Sequence, residues 1–145
     1  MEAGKDFKIS SAITPTNGAA GTSDINGSII DMSGFENLLI IVHMGAIVSG
    51  AVTTIKAQQD SAPAMGGAQD LLGTELTVTD TDDDKAFYLD IVKPQKRYVR
   101  VVVPRATQNA TLAAVYIQYN GSKSPVTHGS NVTGETHVSP AEGTA

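Results

Sequence analysis

From Thr22 onward the apolar residues come in short runs, many alternating with polar residues, separated by Gly, Asp, Asn and Pro. No stretch carries a convincing helical repeat, so the pattern predicts strands. "DINGSIIDM" at 24–32 reads as a strand or hairpin with Asn26-Gly27 as a tight turn. "FENLLIIVHMG" at 35–45 is the strongest strand. Its run Leu38 to Val42 is apolar on both faces, as in a central strand covered on both sides. "AVTTIKA" at 51–57 puts Val52 and Thr54 on one side and Thr53 and Ile55 on the other. "TELTVTD" at 74–80 alternates as well. "KAFYLDIV" at 85–92 sets Phe87, Leu89 and Ile91 against Tyr88, Asp90 and Val92. "RYVRVVV" at 97–103 turns Val99, Val101 and Val103 inward, with Tyr98, Arg100 and Val102 opposite. "TLAAVYIQYNG" at 111–121 opposes Val115, Ile117 and Tyr119 to Leu112, Tyr116 and Gln118. Residues 58–73, with Pro63, Gly66 and Gly67, read as a long loop with one short turn at "AQDLL".

Seven or eight short strands with turns between them predict an all-β fold: a single antiparallel β-sandwich, jelly-roll-like, spanning 22–120. The flanks differ. Residues 1–21 and 121–145 are rich in Gly, Ser, Thr and Pro, and read as an N-terminal and an extended C-terminal arm. Val126, Val132 and Val138 are spaced by six. An even spacing puts all three on one side of an extended chain, where they would anchor the arm along a neighbouring molecule.

A chain of 145 residues fits one domain with a real core. Val, Ile, Leu, Ala and Thr dominate the composition, which agrees with strands. There is no Trp, and aromatics make up 5%, which weighs against a stacking site for sugars or bases. The absence of cysteine removes disulfides, thiolate nucleophiles and cysteine-ligated zinc. The N-terminus lacks the apolar core of a secretory signal, and "LLIIV" is too short to span a bilayer. Neither a membrane nor, at a net charge of −5, a nucleic acid is expected as partner.

Candidate chemistry is thin. Asp80, Asp82 and Asp84 fall at the first, third and fifth places of a calcium-loop pattern. Lys85 then stands where the turn needs Gly, and Ile91 where a bidentate Glu is needed. The EF-hand pattern therefore fails, and the plain reading is a solvated turn before a strand. His43, His128 and His137 show no metal-ligand spacing. There is no Gly-x-Ser-x-Gly, phosphate loop or dinucleotide fingerprint. No enzymatic activity, cofactor or metal is expected.

The least random feature is "KPQKRYVRVVVPRA" at 93–106. Lys93, Lys96, Arg97, Arg100 and Arg105 are half of the ten basic residues in an acidic chain, while four of the fifteen acids lie at 80–84. The plain account is that positive edge residues keep a strand from aggregating. The functional account is that two charge poles suit self-association or docking onto a charged protein surface.

In the order of its parts the chain resembles the head decoration, or cement, proteins of tailed bacteriophages. The resemblance lies in "IIDMSGFENLLIIVHMGAIVSGAVTTIKAQQDSA", in "LDIVKPQKRYVRVVVPRATQNATLAAVYIQYNGSKSP", and in the polar tail ending "SPAEGTA", about two-thirds of the chain. It implies a β-sandwich on the outer capsid surface, made in the bacterial host cytoplasm, with arms reaching the major capsid protein or other copies in a homo-oligomeric lattice. It implies no enzymatic activity and identifies no binding residues. From the residues themselves, Lys96, Arg97, Arg100 and Arg105 are the expected charge contacts, and Val126, Val132 and Val138 the arm contacts. Alternatives are a tail-tube or head–tail connector subunit, and a glycan-binding module using the loop at 58–73.

Overall fold

The computed structural model describes residues 1–144. After a single helical turn, α1 (Ala3–Asp6), eleven strands are formed among the described residues: β1 (Lys8–Ile13), β2 (Ile25–Asn26), β3 (Ile30–Asp31), β4 (Phe35–Ile47), β5 (Val52–Asp60), β6 (Gln69–Asp70), β7 (Leu76–Val78), β8 (Ala86–Val92), β9 (Tyr98–Val103), β10 (Arg105–Ala106) and β11 (Ala110–Gly121). Several are two-residue pieces, which is why the sequence pattern shows fewer. They build two antiparallel sheets, so the fold is the expected all-β sandwich. One sheet runs β1-β11-β4-β8. The other runs β10-β5-β9-β2, with β3 also on β9, and β6 and β7 also on β5.

Period-two alternation decides what the sheets bury between them. From the first sheet come Leu38, Ile40, Val42 and Met44 of β4, and Leu112, Ala114 and Tyr116 of β11. From the second come Ile55 and Ala57 of β5, and Val99, Val101 and Val103 of β9. Each of these is at most 4% exposed.

Two features knit the layers. The Tyr116 hydroxyl accepts a hydrogen bond from the Val101 N–H and donates one to the Ser28 carbonyl, both 2.8 Å. Burial pushes this hydroxyl's pKa well above the usual tyrosine range. Residues 27–28 bridge the same gap: the Gly27 N–H bonds to Val101 O, and the Ser28 N–H to Ala12 O of β1. Asn26-Gly27 is thus a crossing segment and not the tight turn expected. Glycine is needed there for close approach, because a Cβ would lie 2.6 Å from Val101 Cγ1 and 3.0 Å from the Tyr116 oxygen.

Three other expectations change. Residues 1–21 are not a free arm, since β1 pairs along β11 from Lys8↔Gln118 to Ile13↔Ala114 and buries Ala12 and Ile13. Alternation over six residues was masked by the polar composition around it. The strand at 97–103 is not an edge: β9 lies between β5 and β2/β3, so its charges do not guard a free edge. Finally, β4 is central but covered on one side only. Leu39 and Ile41 face out from the first sheet and are half-buried.

Candidate functional site

The basic segment is split by the fold. Lys96 and Arg97 sit in the turn between β8 and β9. Arg97 is exposed and makes a two-pronged ion pair with Asp31, Nε to Oδ1 and Nη2 to Oδ2, both 2.8 Å. This pairing holds the Asp31 carboxyl below the usual carboxylate range, helped by the Ser33 N–H. The guanidinium also lies 5.3 Å from the Tyr98 ring centre. Lys96 is half-buried, and its backbone N–H bonds to Gln59 Oε1.

Arg100 lies on the outer face of the second sheet. It donates twice to Gln58 Oε1, at 3.0 and 2.8 Å. Gln58 in turn donates to Asp70, which also takes the Lys56 ammonium at 2.8 Å. β-Pairing sets this network: Gln58 is opposite both Arg100 of β9 and Asp70 of β6. That outer face is therefore polar and charged.

Arg105 is a correction. It is 6% exposed and points inward, so it is not a surface charge contact. Its Nε–H donates to Ser23 O at 2.8 Å, and Nη1 to Ala19 O and Ala110 O at 2.8 and 2.7 Å. Burial depresses its pKa, and Asp24 partly offsets this. The guanidinium satisfies three carbonyls of the 19–24 loop and the start of β11, a fastening role. The chain carries no local signal of this, because the partners lie more than eighty residues away or across a turn.

The C-terminal segment forms no strand after Gly121 among the described residues, but its first part is not free. It lies against α1 and the outer edge of β1. Val126 N–H bonds to Lys5 O and Gly129 N–H to Ile9 O, both 2.8 Å. His128 completes the latch. Its Nδ1 accepts from the Ile9 N–H at 3.1 Å, and its Nε2–H donates to Gly4 O at 2.9 Å. Ser124 Oγ donates to Asp6 at 2.8 Å. The three valines differ accordingly. Val126 and Val132 are half-buried, and Val138 is 78% exposed. The even spacing did not place them as one row, because the segment is not a continuous strand.

The acidic turn is built from backbone capping. Asp80 accepts from the Gly50 N–H, Asp82 from the Thr79 N–H, and Asp83 from the Ile47 N–H. Lys85 bonds to Asp82, and this contact leads the causes that lower the Asp82 pKa to about 2. Among the described residues no three of His, Asp or Glu gather to hold a metal ion. The loop at 58–73 is shorter than expected. β5 runs on to Asp60, whose carboxylate accepts from the Ala62 and Gly67 N–H groups, and β6 pairs back onto β5.

The outer face of the first sheet contrasts with that of the second. Register places Val115 beside Ile41 beside Tyr88, and Ile9 beside Ile117 beside Leu39 beside Asp90. The only charge in these rows is Asp90, which accepts from the Tyr119 hydroxyl at 2.7 Å. Tyr88 is 70% exposed. No helix among the described residues is long and apolar enough to cross a membrane. Compared with known proteins, the chain matches no family model, and no curated protein matches it in sequence.

Proposed function

We propose that the chain is a structural virion protein that coats the outer surface of a phage capsid and strengthens it, through its C-terminal arm and surface charges. The observation that carries this is the C-terminal segment. Residues 126–129 bond to the β1 edge through the Gly129 N–H and the His128 ring and to α1 through the Val126 N–H, and beyond them every described side chain but that of Val132 is exposed. A segment able to use its own edge in this way can use a neighbour's, since edge addition gains main-chain bonds and seats spaced side chains. Ordering such an arm costs entropy on binding, but many copies on one lattice multiply a modest contact. Lys96, Arg97 and Arg100 stand on the surface where an acidic shell would meet them. The rigid sandwich supplies bulk and orientation, and no step of this function requires a catalytic cleft.

The test is a chain lacking residues 122–145, mixed with capsids of the phage that encodes it. The truncated chain keeps its strand-rich circular dichroism and loses most of its capsid occupancy, counted by electron microscopy. Full occupancy by the truncated chain overturns the proposal.

A further inference from the structure

The two edges of the first sheet are treated differently. The β1 edge is covered by residues 126–129, as described above. At the opposite edge β8 pairs with β4 on one side and, among the described residues, with no strand on the other. β8 is seven residues long, AFYLDIV, with no Pro and no Lys inside it. Natural sheets usually blunt an edge of this kind with such residues, with a bulge or with a cover. Here the bare edge runs alongside the largely apolar outer face, where Asp90 is the charge, and its most exposed large side chain is Tyr88.

Charge selects the occupant. The turn entering β8 carries Asp80, Asp82, Asp83 and Asp84, and the turn leaving it carries Lys93, Lys96 and Arg97. In an antiparallel pair of β8 strands, the acidic entry of one copy lies beside the basic exit of the other, twice. We propose that two copies associate about a two-fold axis by antiparallel β8–β8 pairing, joining their four-stranded sheets into one eight-stranded sheet.

Like charges fix the register. Centring the axis on Asp90 sets it against its own copy. Centring it on Leu89 brings Lys85 toward Lys93, and centring it on Phe87 brings Asp90 toward Asp84, in the turns that flank the strand. An axis at Tyr88 avoids all three. It places Tyr88 opposite Tyr88 and Ala86 opposite Asp90, and brings the turn holding Asp83 of one copy toward Lys93 of the other. Cross-strand aromatic pairs and opposite charges both favour this arrangement. The pairing names the copy-to-copy contact of the function proposed above and rests on that reading for its setting on a capsid. Its chemistry needs no capsid.

The chain has no cysteine, so one introduced thiol reports the axis cleanly. Facing residues of an antiparallel pair lie about 4.5–5.5 Å apart at Cα, within disulfide reach. The full-length Tyr88→Cys chain, mildly oxidised, forms a disulfide-linked dimer. Leu72→Cys, on a fully exposed loop, does so at least about tenfold more slowly under random collision. Sedimentation of the unmodified protein shows a monomer–dimer equilibrium that weakens as salt rises. Lys93→Glu raises its dissociation constant about tenfold, and adding Asp83→Lys recovers part of the loss. A monomer at every concentration, a trimer or ring, or equal cross-linking at 72 and 88 overturns the pairing. Coating by a monomer counts against the pairing alone. A dimer that never coats counts against the capsid function alone.

Discussion

Replacing Tyr116 by Phe removes one oxygen from the centre of the sandwich. That oxygen is bonded to the Val101 N–H and the Ser28 carbonyl, and the residue is 0% exposed. Val101 lies where β9 passes between its pairings with β2 and β3, so no strand stands ready to take the N–H. Leaving a buried donor or acceptor without a partner costs about 1–3 kcal/mol each, and some relaxation is expected, so the loss is about 2–4 kcal/mol. For a chain of this length, each kcal/mol lowers the Tm by about 3 °C, giving a fall of about 6–12 °C. Urea unfolding followed by circular dichroism measures the same loss as a lower midpoint at unchanged slope.

A second readout separates the hydroxyl from mere packing. In the native state the Tyr116 pKa is raised, so its contribution is complete below about pH 10, where unfolded tyrosine titrates, and declines as pH rises beyond that. The Phe variant lacks that alkaline decline, while Tyr88→Phe, on an exposed side chain, retains it and keeps its Tm. A Tyr116→Phe protein within about 0.5 kcal/mol of the parent would refute the idea that this hydroxyl ties the two layers.

Beyond the truncation and pairing experiments, two further outcomes follow from the buried and capping charges. Arg105→Met strips three carbonyls of their donor and lowers stability by about 2–4 kcal/mol, read by urea unfolding, with early proteolysis in the 19–24 loop. The pKa of Asp82 is depressed to about 2, so its contribution is complete above about pH 4 and is lost as pH falls from there toward 2. Asp82→Asn therefore lowers the Tm at neutral pH and flattens the acid limb over that window.

The strands were legible wherever alternation ran uninterrupted. The inward set Val99, Val101 and Val103, and the pairing of Thr53 with Ile55 on one side of β5, are both as the spacing implies. β1 carries little sequence signal because it has only two large apolar residues, Ile9 and Ile13, in a polar stretch. The burial of Arg105 was not legible either. A guanidinium reads as surface charge until distant carbonyls are brought around it. Val126 and His128 looked like loose tail, and only the nearby edge of β1 gives them partners.

By itself the sequence determined which residues share a side of each long strand, because side chains alternate across a strand whatever the strand pairs with. It also determined where the charges cluster, since that is a property of the chain order. Tertiary structure alone decided which apolar sides face each other and which remain outside. Leu39 and Ile41 match the buried run beside them in composition, yet among the described residues no second sheet lies over them. It likewise decided which edge is covered and which is bare. Edge and cover are relations between strands far apart in the chain, and a period of two residues carries no information about them.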